Sequence, residues 1–258
     1  MKKTRLQIFS DIHMEAYDNP NVIWRFVQPK AKVAVVAGDI HSKRFEQQLT
    51  EIASRFEQVI AVYGNHEWYR RDISWRADPT LLPDNVALLN PGVFEYKDVV
   101  FIGATLWTDF KNRDWFVMHA AQDNINDFHV IRSHDYAHKF TSHMAAEKHE
   151  KEKAYIKLMI EKYRGTGKKI VIVTHFIPSY ALVHPRWKDM GSDTLNYYFS
   201  AQCDDLVEYS EAAAWVYGHT HNPGDAKLHN VRCVCNPLGY PKERDQAGEP
   251  YTDKVILV

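Results

Sequence analysis

Val59-Ile60-Ala61-Val62 runs directly into Tyr63-Gly64-Asn65-His66-Glu67, and this junction decides how the rest of the chain is read. Four consecutive apolar residues describe a strand buried on both faces, and the glycine lets the chain turn sharply where it emerges. Asn65 and His66 then lie at the strand's carboxyl end, where open α/β sheets place their ligand sites. Neighbouring side chains of an extended segment point opposite ways, so one of the pair could hold a metal while the other faces a substrate. The competing reading is a turn in which Asn65 caps a following helix and His66 is incidental.

Four further apolar runs end the same way. Leu6 to Phe9 is followed by Asp11 and His13, which share a side in an extended segment; carboxylate plus imidazole suits a divalent first-row ion. Val33 to Ala37 ends in Gly38-Asp39, and His41 is a less clear neighbour. Ser42 is a reasonable N-cap for a helix whose apolar stripe is Phe45, Leu49, Ile52, Ala53 and Phe56. Ile170 to Val173 ends in Thr174-His175, and Ala214 to Tyr217 ends in Gly218-His219-Thr220-His221.

The intervening chain is less regular. Val86–Leu89, Val99–Ile102, Val231–Cys235 and 255–258 read as strands, and 141–164 as a helix. In that helix Glu147 to Lys153 is expected to be solvated, with Tyr155, Leu158 and Met159 on the buried side. Two short helices are expected around 193–210. Residues 108–140 show little periodicity, and loops of that length inside a compact domain tend to be functional. They form a cap-like insertion over a substrate cleft, with Asp109, Asn126 and Asp127 as candidate lining groups and Arg186, further on, as a fourth. His134 and His138 are read as surface residues, and Arg70-Arg71 as a solvated loop.

Hydrophobic residues make up 45% of the 258 and charged residues 25%, as in an ordinary globular protein. Lys and Arg number 32 against 33 Asp and Glu, so no excess of positive charge points to a nucleic-acid or membrane surface. The first apolar run is too short for a signal peptide or a membrane span. Three cysteines, two of them as Cys233 and Cys235 on one strand face, make no disulfide framework. The expectation is one cytoplasmic domain over 1–258.

Asp, Asn and His without Cys suit Mn, Fe or Zn and disfavour a structural thiolate zinc site. Asp11, His13, Asp39, His175, His219, His221 and one of Asn65 and His66 are too many ligands for one tetrahedral ion, but they suit two ions sharing a carboxylate. Together Asp11-Ile12-His13, Gly38-Asp39, Gly64-Asn65-His66-Glu67, His175 and Gly218-His219-Thr220-His221 closely resemble the signature of the calcineurin-like metallophosphoesterases. The resemblance implies a four-layer α/β/β/α sandwich of two mixed sheets flanked by helices. It implies two divalent ions, Mn first and Fe or Zn as alternatives. One would be held by Asp11, His13, Asp39 and His221, the other by Asp39, Asn65, His175 and His219. Asp39 would bridge, and His66 would act as the catalytic group facing the leaving group.

The reaction so implied is phosphoester hydrolysis by in-line attack of a metal-bridging hydroxide, with His66 protonating the departing alkoxide. Departures from the family pattern bear on substrate. Ile40-His41-Ser42-Lys43 follows Asp39 in place of the Asp-Arg-Gly of serine/threonine protein phosphatases, and Ser42 stands where purple acid phosphatases carry Tyr. Phe176 follows the lone histidine. Leu238 replaces the Arg of the Asn-Pro-Arg-Gly-Tyr found in bacterial and phage relatives. The reading is a small phosphodiester or nucleotide substrate. The alternatives are a phosphomonoesterase (protein phosphatases included), a nuclease, or a catalytically silent metal-binding scaffold.

Overall fold

The computed structural model describes residues 3–19, 22–188, 193–246, 248 and 250–258, with the side chains of 244 and 245 outside the described set. The first six strands are β1 (Arg5–Phe9), β2 (Val33–Ala37), β3 (Gln58–Val62), β4 (Val86–Leu89), β5 (Gly92–Tyr96) and β6 (Val99–Ala104). They are followed by β7 (Arg132–Ser133), β8 (His138–Lys139), β9 (Lys169–Thr174), β10 (Ala214–Tyr217), β11 (Gly224–Leu228), β12 (Val231–Cys235) and β13 (Lys254–Leu257). One sheet has the order β13-β1-β2-β3-β4, the other β11-β12-β10-β9-β6-β5, and β7 pairs with β8 as a separate hairpin. β1 to β4 run parallel and only β13 is antiparallel to them. In the second sheet β6, β9, β10 and β12 are parallel, with antiparallel β5 and β11 at the edges.

The alternation of side chains along these strands makes two separate cores. Val33, Val35 and Ala37 of β2 and Ile60 and Val62 of β3 join Val171 and Val173 of β9 and Ala214 and Val216 of β10 in a purely apolar layer between the sheets. The intervening residues, such as Ala34 and Val36 or Trp215 and Tyr217, face outward into a second core shared with the helices. Each strand is buried on both faces, which is why these runs are continuously apolar rather than alternating. A change such as Val216→Asp would put an unpaired charge into a layer that has no polar partner for it. Helix 45–53 lies against β3 and β4, while helices 142–163 and 204–210 lie against the second sheet. The result is an α/β/β/α sandwich of two mixed sheets.

Three local expectations need correcting. The helix after β2 begins at Phe45 behind Arg44, so Ser42 is not its cap, although the Phe45 to Phe56 stripe is core as expected. Residues 108–140 are not irregular. They contain helices Trp115–Asn124 and Asp127–Val130 and the β7/β8 hairpin, and Phe110 to Arg113 form a left-handed turn with φ of 50 to 59°. The phase of helix 142–163 also differs from expectation. Leu158 is exposed, whereas His149 and Glu152, inside the stretch read as solvated, are buried. The cause is tertiary. Leu106, at φ 76°, is clamped from behind as Glu152 accepts its N–H (2.6 Å) and His149 Nδ1 binds its carbonyl (2.9 Å). Among the described residues no helix is long and apolar enough to cross a membrane, and the three cysteines are free and buried.

Candidate metal centre and active site

Parallel strands end at the same edge, so β1, β2 and β3 deliver Asp11/His13, Asp39 and Asn65/His66 to one rim of the first sheet. β9 and β10 deliver His175 and His219/His221 to a rim of the second. The rims meet where His175 Nδ1 donates to the carbonyl of Ala37 (2.8 Å). The post-strand loops are laced together as well. Asp11 N–H donates to Gly38 O (3.0 Å), His13 N–H to Asp39 O (3.0 Å), and Gly218 N–H to His175 O (2.9 Å). This close approach leaves no room at Gly38, at φ 85°, where a Cβ would stand 2.5 Å from Gly64 N and 2.6 Å from His175 Nδ1.

Three triads of ligand-type atoms result, each within 4.8 Å of one another: Asp11/His13/His221, His13/Asp39/His66 and Asp39/His175/His219. Asp39 belongs to two of them, its Oδ2 lying 3.5 Å from His175 Nε2 and 3.6 Å from His13 Nε2. Asp11, His13, Asp39, His219 and His221 all have positive φ, from 40 to 70°. Such backbone strain in non-glycine residues collects at functional sites, held by the surrounding structure.

The hydrogen bonds fix which atom each group presents. Asn65 donates its Nδ2–H to Asp127 Oδ1 (2.8 Å), leaving its carbonyl oxygen 3.0 Å from His175 Nε2. His221 Nδ1 donates to Glu243 (2.8 Å), and His66 Nδ1 to Glu15 (3.0 Å), with His13 Nδ1 at 3.4 Å from the same Glu15 oxygen. Each of these imidazoles therefore turns Nε2 inward, the usual carboxylate–histidine arrangement behind a metal. Glu67 accepts four backbone N–H groups, from Gly64 (2.6 Å), Asp39 (3.1 Å), Ile40 (2.7 Å) and His41 (3.2 Å), and so ties the β2 and β3 loops together.

Two features test whether a cation fits. The Nε2 atoms of His13 and His221 face each other at 2.9 Å, both with Nδ1 turned to a carboxylate, which sets lone pair against lone pair. His219 Nε2 is buried with no hydrogen-bond partner at all. Buried polar atoms are rarely left so, and divalent ions would satisfy all three nitrogens. The donor set of imidazole, carboxylate and amide oxygen fits. The charge balance of the protein alone agrees. Burial opposes charge on His66 and His175, but Asp39 outweighs it, with Glu15 helping at His66, and lifts them to about 9 and about 10. Burial and the neighbouring His175 push His219 well below its ordinary value.

Sequence reasoning missed the groups that surround this cluster. Glu15 sits two residues after His13, on a 3₁₀ turn whose N-cap is His13 itself, and the Asp-x-His-x-Glu spacing was its only signal. Tyr240 stacks on His13 (4.4 Å between centroids), and its hydroxyl lies 3.4 Å from His66 Nε2. The segment bearing Tyr240 and Glu243 is fixed beside β1 as Leu238 and Gly239 N–H groups donate to Ser10 and Asp11 carbonyls. The tail thus contributes to the site although Leu238, where relatives carry Arg, is buried. Tyr69 stacks on His66, with ring centroids 4.0 Å apart.

The expected substrate-side residues divide. Asn126 and Asp127 line the cavity beside the cluster, but Asp127 is a brace, its buried carboxylate accepting from Asn65, from Tyr69 (2.9 Å) and from Tyr198. Asp109 does not line the cavity; it caps the turn at Asn112 (2.9 Å) and accepts from Gln202 N–H (3.0 Å). Arg186 is exposed with its guanidinium over the ring of Trp187 (4.3 Å), and Trp187 is the lining residue. Arg71 is half-buried, over Trp75 and bonded to Lys43 O (2.8 Å), rather than free in a solvated loop. His134 and His138 are exposed, as expected.

Residues 4–223 match the model of the calcineurin-like phosphoesterases. "Uncharacterized protein L509" of Acanthamoeba polyphaga mimivirus is 24% identical over 271 residues, covering 93% of this chain and 92% of that protein. The fold is similar to that of a phosphopantetheinyl hydrolase from Mycobacterium tuberculosis, with a TM-score of 0.71, 18% identity and coverage of 99% of this chain and 96% of that one. It is also similar to a dimetal phosphatase from Danio rerio, with a TM-score of 0.50, 14% identity and coverage of 90% and 86%.

Proposed function

Because the chain belongs to the calcineurin-like phosphoesterase family, we propose that it is a dinuclear metal-dependent hydrolase of a small phosphodiester. The observation that carries this reading is the cluster itself: seven ligand-type groups from two sheets, sharing Asp39, with His219 Nε2 buried without a protein partner and the Nε2 atoms of His13 and His221 set against each other. Asp11, His13, Asp39 and His221 would hold one ion, and Asp39, Asn65, His175 and His219 the other. When bound, the ions would supply Lewis-acid stabilisation of phosphoryl charge and a water of lowered pKa.

The chain's own residues do the positioning. Glu15, Glu243 and the Ala37 carbonyl hold three imidazoles with Nε2 inward, and Asp127 turns the Asn65 oxygen the same way. His66 is held between Tyr69 and Glu15, with Asp39 and Glu15 favouring its protonated form. It is the group suited to give a proton to the departing oxygen, a role contributing about 10²–10⁴-fold. The Tyr240 hydroxyl beside His66 Nε2 supplies a second donor on the same side.

Hydrolysis of bis-p-nitrophenyl phosphate and p-nitrophenyl phosphate by Mn²⁺-loaded protein tests this function. Diester turnover should exceed monoester turnover. Efficient monoester cleavage with a silent diester would replace the diesterase with a phosphomonoesterase, and silence on both would favour a metal-binding scaffold.

A further inference from the structure

The diesterase reading leaves open which ester group the enzyme accepts, and the cavity wall bears on it. The candidate metal groups open into a cavity of about 350 Å³. Away from the cluster one part of its lining is apolar, formed by Ile125, Ile177, Val183, Trp187 and Phe199, and the rest is largely uncharged and polar, with the amides of three asparagines. The charged residues in the lining outside the histidines are acidic, namely Asp39, Asp127 and Glu243, and no Lys or Arg lines it among the described residues. The basic neighbours of Trp187 in sequence do not line the cavity: Arg186, exposed, sits over the indole (4.3 Å), and Lys188 Nζ donates to Ala181 O (3.3 Å). Trp187 is itself fixed, its indole Nε1–H donating to Asn222 (2.7 Å) while its backbone carbonyl accepts from Asn196 (3.1 Å). A wall held in place in this way needs little reordering to receive an apolar group.

Resting on the phosphoesterase reading, the geometry points to a substrate class: a monoanionic phosphodiester with one uncharged, largely apolar ester arm, seated against Trp187, Ile125 and Val183. The two ions would meet the single phosphoryl charge. A polyphosphate chain or a nucleic-acid backbone would bring further negative charges into a lining whose charged groups outside the histidines are carboxylates, with no Lys or Arg among the described residues to meet them. Burying an alkyl arm against a preformed apolar wall, by contrast, strengthens binding by about fourfold per methylene at full burial.

The test uses the full chain loaded with Mn²⁺ and three p-nitrophenyl esters, those of methyl phosphate, n-butyl phosphate and thymidine 5′-monophosphate. The butyl ester should exceed the methyl ester in kcat/KM by at least on the order of tenfold, against roughly sixtyfold if all three added methylenes were fully buried, and the thymidylate ester should fall below the butyl ester. Trp187→Ala should lower the butyl-to-methyl ratio towards unity. A ratio near one in the parent protein, a ratio unmoved by Trp187→Ala, or a preference for the thymidylate ester would overturn the assignment while leaving the diesterase intact. If no ester is cleaved, the phosphoesterase reading fails, and the cavity assignment is decided by calorimetry with n-butyl and methyl esters of methylphosphonic acid. Tighter binding of the butyl compound supports it, and equal binding overturns it.

Discussion

Asp127 offers the sharpest test of how the site is held together, because the sequence suggested a substrate contact and the structure makes it a brace. Its Oδ1 accepts from Asn65 Nδ2 (2.8 Å) and Tyr69 OH (2.9 Å), and its Oδ2 from Tyr198 OH. Asp127→Asn can keep one oxygen towards Asn65 and Tyr69 while its amide faces Tyr198, whose hydroxyl can rotate to accept. The loss is then the charge assistance of these bonds, about 2 kcal/mol. Asp127→Ala strands all three donors, and at about 1–3 kcal/mol for each buried unsatisfied group the cost should reach roughly 4 kcal/mol or more. At about 2–4 °C per kcal/mol for a chain of this size, thermal unfolding should separate the two variants clearly. Metal binding gives the second readout. Partners that orient a ligand from behind typically contribute about 10–100-fold in affinity, so Asp127→Ala should bind the ion at Asn65 more weakly by that factor, and Asp127→Asn, which keeps an oxygen on Asn65, by less. Calorimetric Mn²⁺ titration of the folded variants measures it. Metal affinity equal to that of the parent protein in both variants would refute the role assigned to Asp127.

Two further outcomes follow from the same geometry. His66→Ala should keep metal content near that of the parent protein while kcat falls by about 10²–10⁴-fold, as read by metal analysis beside single-turnover kinetics; stoichiometric loss of metal would make His66 a ligand, as its place in a triad with His13 and Asp39 allows. Chelation should lower the unfolding temperature and Mn²⁺ should restore it, since an ion at 100 times its Kd stabilises by about 2.7 kcal/mol; a transition indifferent to metal would argue against occupancy of these nitrogens.

The parts of this architecture legible in the sequence are those where one segment meets one demand. Runs such as Val33 to Ala37 declare themselves because both faces are buried, and the Asp, Asn and His residues stand out because a core strand has no packing reason to end in them. The edge strands β5 and β11 are half-exposed and lack that continuous pattern. Helix Trp115–Asn124 buries only Val117, Met118 and Ala121, too few to show a stripe. Glu15, Glu243, Tyr69 and Tyr240 were invisible for another reason. Their meaning depends on partners that come together only in the fold, 174 residues apart in the case of Tyr240 and His66. The burial of His149 and Glu152 likewise answers a strained backbone at Leu106 on another element, which helical periodicity cannot register.

The central claim is that Asp39 is shared between two ions while His175 serves one, and metal content measures it directly. Dialysed parent protein, Asp39→Ala and His175→Ala, each confirmed as folded by circular dichroism, would be analysed for bound Mn²⁺. Removing the shared carboxylate takes a bond from both ions and leaves two like charges without an intervening anion, whereas removing His175 leaves one ligand set whole. The prediction is about two ions in the parent protein, a fall towards none in Asp39→Ala and about one in His175→Ala. Equal occupancy in the two variants would contradict the account.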